Sequence, residues 1–288
     1  MNDYEKSLIE KDRNYMVVKA NDLVLKSRYH YNVNQQKMIA YICSKIKPSN
    51  DKTKGQYQLE YEFEIADYIR LMGIQSTGSA YDEIKATLKS LRDKSYWLEL
   101  DNGDETTVSW VDKATTNKRS GLAKYRIDPD FAPFLFDLRE RYLSYGLINI
   151  LNFNSKYSIR LYELLKAHYN LKRSQYGHKH YDTPTVEWIV DLDELRHLLM
   201  VDVEMEDKKG QIVSPKLTRF PDFRRYVLET AQEEINDLSD IKFFFEPITK
   251  GRKTVKIKFI IMQKDSIDRL VSQVKNRELL DGTEEKEN

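Results

Sequence analysis

The segment Phe220–Met262, FPDFRRYVLETAQEEINDLSDIKFFFEPITKGRKTVKIKFIIM, decides how the chain is read. Pro221 stands where a first helical turn tolerates a residue without an N–H. Phe223, Val227, Ala231, Ile235 and Leu238 then recur as the stripe of a helix buried along one side. From Lys242 to Glu246 the pattern turns extended and leads to the tip Lys250-Gly251-Arg252-Lys253. The return run alternates Val255, Ile257 and Phe259 with Lys256 and Lys258, the period of two of a strand with one dry face. The segment therefore predicts one amphipathic helix followed by a two-stranded ribbon with a basic tip.

A fainter copy lies upstream. EIKATLKSLRDKSYWLEL from Glu83 lies over TAQEEINDLSDIKFFFEP from Thr230, with Ile84 on Ala231, Leu88 on Ile235, Leu91 on Leu238 and Trp97 on Phe244. Around it, Asn34 is expected to cap a helix through Met38, Ile39, Ile42 and Ile46, with Val33 packing on Met38 as a staple. Tyr57 to Phe63 suits a strand or an extended lead-in. A short helix through Ile65, Tyr68, Ile69 and Met72 should stop at a left-handed Gly73. Ser79 and Asp82 form a capping pair for a helix with Tyr81, Ile84, Leu88 and Leu91 inward. Tyr96 to Leu100 and Thr106 to Val111, joined through Asp101-Asn102-Gly103-Asp104, read as a hairpin. In the second half Lys156 to Asn170 is helical, Asp191 and Glu194 resemble a capping box for Leu192 to Met200, and Val201 to Arg219 is a loop. Helix, turn, helix and hairpin, twice, is the grammar of tandem winged-helix domains. The fold class expected is α+β, mostly helical with β-hairpin wings. The boundaries expected are an N-terminal arm at 1–20, a first domain at 21–148, a second at 149–264 and a charged tail at 265–288, whose apolar start forms a helical turn or two.

With 288 residues the chain is long enough for two cores. A hydrophobic fraction of 40% with 32% charged residues excludes a disordered chain or a membrane-embedded one, and no apolar run reaches the ~20 residues of a bilayer span. The first residues lack the apolar core of a signal peptide, so cytoplasmic residence is expected. A single cysteine, Cys43, reads as a core residue. The net charge of +1 hides an uneven distribution, because bases outnumber acids from Ser214 to Lys264.

A helix in the major groove places side chains against base edges while an adjoining hairpin tip holds phosphate. Arg224 and Arg225 project from the start of the second long helix, one expected to read guanine and the other to grip backbone. Lys216 and Arg219, leading into that helix, and Lys250, Arg252 and Lys253 at the tip are assigned to phosphate. In the first domain Lys85, Lys89 and Arg92 share a helical face, with Lys113, Lys118 and Arg119 further on; a solvated outer face explains these equally well. Enzyme chemistry finds no support. Gly73 to Gly78 lacks the Gly-Lys-Ser/Thr ending that cradles triphosphate, and His178-Lys179-His180 has lysine between its histidines and no further ligand nearby. No cofactor or metal is expected, and no catalytic residue.

The segments NDLVLKSRYHYNVNQQKMIAYI, SKYSIRLYELLKAHY and FRRYVLETAQEEINDLSDIKFFFEPITKGRKTVKIKF resemble the iteron-binding replication initiators of theta-replicating plasmids, over about Asn21 to Met262. The most specific parts are Ser158 to Leu165 and the series from Val227 to Lys253. The resemblance implies two winged-helix domains, the second gripping an iteron and the first shared between dimerisation and auxiliary DNA contact. It implies monomers that open the origin, dimers that repress the initiator's own promoter, and host initiator and helicase proteins as partners. Where the family often has proline this chain has Thr230, which predicts a straighter helix. Arg160, in the well-matched helix, is either structural or bound to phosphate. The alternatives are a dimeric winged-helix transcriptional regulator without a replication role and, less favoured, a metal-dependent nicking endonuclease.

Overall fold

A computed structural model describes residues 13, 15–26, 30–49, 55–75, 77–99, 103–138, 142–175, 185–201, 205–206, 212–213 and 217–282. Lys216, the 178–180 histidine pair, the 101–102 turn residues and residues 1–12 of the arm lie outside them. The chain divides into two compact units. The first comprises Met1–Lys26, Tyr31–Asn152 and Gln273–Asn288, and the second Ser27–His30 and Phe153–Ser272.

The first unit runs β1 (Met16–Ala20), α1 (Asn21–Lys26), α2 (Val33–Lys45), β2 (Glu60–Glu64), α3 (Ile65–Met72), α4 (Ala80–Asp93), β3 (Tyr96–Glu99), β4 (Glu105–Val108), β5 (Val111–Asn117), β6 (Leu122–Ile127), α5 (Pro133–Phe136), β7 (Tyr142–Gly146) and α6 (Ile148–Leu151). Its strands pair as β1 with β7, β3 with β4, and β2-β6-β5, all antiparallel. Residues 16–20, expected in an arm, are thus a paired strand. Asn32, two residues ahead of the expected Asn34, caps α2. Its side chain accepts from the Gln35 N–H and its own N–H donates to Gln35 Oε1, both at 2.9 Å. Gly73 ends α3 at φ 60°, as its position predicts. Ser79 precedes α4 without a side-chain cap and instead donates its hydroxyl to Glu83 Oε1 at 3.1 Å. The core gathers Tyr41 against Phe63 and Tyr68, with ring centroids 5.4 and 5.0 Å apart, and Trp110 edge-on to Phe131 at 4.6 Å. Cys43 is buried.

The second unit begins with α7 (Lys156–Gln175), followed by β8 (Val186–Asp191), α8 (Leu192–Leu198), a two-strand ribbon β9 (Met205–Glu206) with β10 (Ile212–Val213), and α9 (Phe220–Phe223). A π-helical stretch, Arg224–Glu229, runs on into α10 (Thr230–Leu238); the hairpin β11 (Ile241–Lys250) and β12 (Lys253–Gln263) closes the sheet β11-β12-β8. Asp191 stands at the N-cap of α8 but makes no side-chain capping hydrogen bond. It pairs with Lys256 at 3.3 Å across the sheet, because it ends a strand that the sequence pattern did not reveal. The predicted stripe Phe223, Val227, Ala231, Ile235 and Leu238 is buried, as are Phe243 and Phe259 of the hairpin, and α10 packs on α7 and on β11. Under it, Tyr162 donates to Asp240 Oδ1 at 2.8 Å while Lys166 pairs with the other carboxylate oxygen, so a buried charge is satisfied.

α11 (Ser266–Asp281) replaces the one or two turns expected at the start of the tail. Its first residues, through Ser272, belong to the second unit and the rest to the first. Ser272 donates to the Asp237 carbonyl at 2.8 Å in the one, and Asn152 donates to the Asn276 side chain at 2.8 Å in the other.

Candidate nucleic-acid interface

The helix entering the second unit's basic surface is not a regular α-helix: a π-helical stretch leads up to Thr230, which itself keeps ordinary α-helical angles, φ −59° and ψ −44°. Its buried residues 223, 227, 231 and 235 step by four, and each step overshoots an α-turn of ~3.6 residues by about 40°. The wide π turn over Arg224–Glu229 takes up that drift and keeps the stripe on the core. Outward it leaves Arg224, Arg225, Tyr226 and Glu229 exposed. Arg224 Nε donates to Glu229 Oε1 at 2.8 Å, and the Arg225 guanidinium lies 5.4 Å over the Tyr226 ring. Arg219 stands 80% exposed, its Nε 3.9 Å from Asp222.

The helix and the hairpin are locked together at the hairpin's base. Gln232 and Asn236 both donate to the Phe243 carbonyl, at 3.0 and 2.9 Å, and the Phe243 N–H donates to Asn236 Oδ1 at 2.7 Å. Because β11 is an edge strand, these amides satisfy backbone groups that β12 does not reach. Arg196 holds the helix entry, donating to the Thr218 carbonyl at 2.6 Å with its guanidinium 5.5 Å from the Phe223 ring. Sequence reasoning missed all three side chains. The amide pair at 232 and 236, four apart beside the buried stripe, was the available signal.

Along the ribbon, three lysines below the tip have acid partners. Lys258 pairs with Glu187 at 2.6 Å, Lys256 with Asp191 at 3.3 Å and Lys242 with Asp268 at 3.5 Å. Hydrogen bonding to Glu187 raises the Lys258 pKa. Lys250, Arg252 and Lys253 are exposed, and their side chains make no hydrogen bond or ion pair among the described residues. Gly251 turns the chain at φ 64°, and Lys250 and Lys253 sit directly opposite in register. Like charges in that position repel, an arrangement suited to an anionic partner.

The first unit carries a second basic groove, of about 610 Å³, between α4 and β5. Lys85, Lys89, Arg92 and Lys113 line it, with Asp82 at one side. Lys89 and Arg92 share Asp93, at 3.2 and 3.3 Å, and Arg92 also donates to the Asp112 carbonyl. Lys85 and Lys113 have no acid partner among the described residues. The hairpin beside this helix is β5-β6, whose turn holds Lys118 and Arg119, in addition to the expected β3-β4. Lys118 lies 5.9 Å over the Tyr81 ring. Arg160, by contrast, is buried and donates to the Leu198 carbonyl at 3.3 Å, a structural position.

Residues 16–166 match the family described as initiator replication protein, WH1, and residues 191–261 match initiator Rep protein, WH2. The chain belongs to the initiator replication protein family. Two Escherichia coli relatives frame it. A replication initiation protein is 23% identical over 267 residues, 92% of this chain and 74% of that protein. The PI protein is 26% identical over 196 residues, 66% of this chain and 59% of that protein. The crystal structure of Pi initiator protein in complex with iteron DNA shares the fold, with TM-score 0.66 and 20% identity over 88% of this initiator and 99% of that chain. Both domains of this initiator are therefore winged helices. Among the described residues no helix is long and apolar enough to cross a membrane, and no group of histidines, cysteines and carboxylates is placed to hold a metal.

Proposed function

We propose that this initiator starts plasmid replication by binding iteron repeats at the origin as double-stranded DNA, chiefly through its second winged helix. The observation that carries the reading is the uncompensated tip Lys250, Arg252 and Lys253 on a hairpin tied through Phe243 to the helix bearing Arg219, Arg224 and Arg225. A duplex fits that arrangement, with base edges against the helix and phosphates against the tip. The structure of Pi with iteron DNA, on the same fold, supports it. Lys216 completes the set in the sequence, ahead of Arg219.

The first unit makes the auxiliary contact through Lys85, Lys89 and Arg92, joined by Lys113, and provides the surface for dimerisation. Monomers on adjacent repeats bend the duplex and bias an AT-rich neighbour toward opening, a cost that deformable sequence lowers. Dimers repress the initiator's own promoter, and host initiator and helicase proteins join at the opened origin in the cytoplasm. No chemical step is assigned to the chain. Footprinting of the full chain on the DNA flanking its coding region should show protection at direct repeats about two helical turns apart, with no strand scission in magnesium or manganese. A flank without protected repeats would contradict iteron binding, and nicked product would contradict the absence of catalysis.

A further inference from the structure

The π turn brings together two groups that a regular helix would hold apart. Neighbours on an α-helical face are three or four residues apart, whereas π hydrogen bonding repeats at five. Arg224 and Glu229 are five apart and joined at 2.8 Å; Thr230, five beyond Arg225, donates its hydroxyl to the Arg225 carbonyl at 3.2 Å. Two side-chain rungs thus follow the five-residue register of the wide turn.

The ion pair uses Nε of Arg224. Its Nη1 and Nη2 make no hydrogen bond among the described residues. Arginine contacts the O6 and N7 acceptors of guanine through a fork of N–H donors. Arg224 and Glu229 are 51% and 46% exposed, and a pair so placed adds little to folding stability. An acid on a surface meant for a polyanion also weakens general attraction to DNA. Arg225 differs: its guanidinium lies 5.4 Å over the Tyr226 ring and it makes no ion pair among the described residues, and so suits phosphate on any sequence.

We propose that Glu229 is a specificity-determining, positioning residue. It holds Arg224 with its Nη fork toward a guanine edge, and its charge opposes the phosphate-bound placement that a mobile arginine would take on unrelated DNA. Specificity is a difference between two affinities, and Glu229 acts on both. Arg224 is thereby the base reader and Arg225 the backbone grip. The inference rests on the proposed contact between this helix and DNA.

The test uses the full chain with two probes, a duplex it selects from a random-sequence pool and a scrambled duplex of equal length. Thermal melting first establishes that Glu229→Ala, Arg224→Ala, Arg225→Ala and the Glu229→Ala/Arg224→Ala double variant fold. Glu229→Ala should bind the selected duplex more weakly and the scrambled one more tightly, lowering the ratio of affinities about 10-fold, the scale of an ordered long side chain. In the Arg224→Ala background the same change should leave the ratio unmoved. Arg225→Ala should weaken both duplexes alike. An unchanged ratio for Glu229→Ala, or an equal fall with and without Arg224, would overturn the assignment while DNA recognition stood. A wild-type chain that bound both duplexes equally would overturn the DNA reading as well.

Discussion

Lys250 and Lys253 face each other across a two-residue turn, where repulsion between like charges costs up to about 1 kcal/mol relative to a neutral pair. Lys253→Thr should therefore raise the melting temperature slightly at low salt while weakening DNA binding. A variant that lost both stability and binding would show the lysine packing rather than waiting for phosphate. His168 sits at the opposite extreme, stacked 4.0 Å from Trp188, which in turn stacks on Phe259. Burial, aided by Lys172, pushes its pKa down from 6.5 to about 4. Below pH 6.5 the unfolded chain takes up a proton that the folded chain refuses, so stability is full above that pH and falls toward pH 4. Between pH 7.5 and pH 5 the loss should be about 2 kcal/mol. Chemical denaturation at the two values measures it, and His168→Phe, which keeps the stack, should remove that share of the dependence. An unaltered pH profile in the variant would place the acid sensitivity elsewhere.

At the scale of the element, the amides on α10 make helix and ribbon one piece. Asn236→Ala strips the Phe243 N–H of its acceptor and removes one of two donors from the Phe243 carbonyl. Leaving such groups unsatisfied costs about 1–3 kcal/mol. The variant should melt earlier and lose affinity for the selected duplex even though residue 236 is remote in sequence from the basic tip. Undiminished affinity would mean that the wing finds its place without the helix. Much of this element was legible in the sequence, because its stripe is apolar at helical spacing and its ribbon alternates at period two. The π turn was written there too, in the steps of four from Phe223 to Ile235, but that spacing reads equally as a regular helix when drift is ignored. β8 and the β5-β6 hairpin were not legible. β5 buries little beyond Val111, and β8 and β6 each pair with a strand distant in the chain, β12 and β2. Caps misread for the same reason: Asn34 and Asp191 have suitable side chains, but α2 begins at an earlier asparagine, and the sheet gives Asp191 another partner.

For the whole molecule, an average charge of +1 conceals two separate cationic surfaces, one in each unit. The duplicated pattern held in detail: Ile84, Leu88 and Leu91 are buried as are Ala231, Ile235 and Leu238, and Trp97 and Phe244, matched in the two copies, stand 64% and 51% exposed. The sites were less legible than the fold, since sequence marks where cations fall but not which of them already have partners. Among the candidates Lys89 and Arg92 are engaged by Asp93, Arg224 is held by Glu229, and the wing tip is left open. The central claim is that this tip meets phosphate. It is tested most directly by the affinity of the full chain for its selected duplex as a function of salt, for wild type and for Lys250→Ala/Arg252→Ala/Lys253→Ala. The plot of log affinity against log salt should flatten by about 0.9 for each phosphate that the variant no longer neutralises. Parallel lines for the two proteins would contradict it.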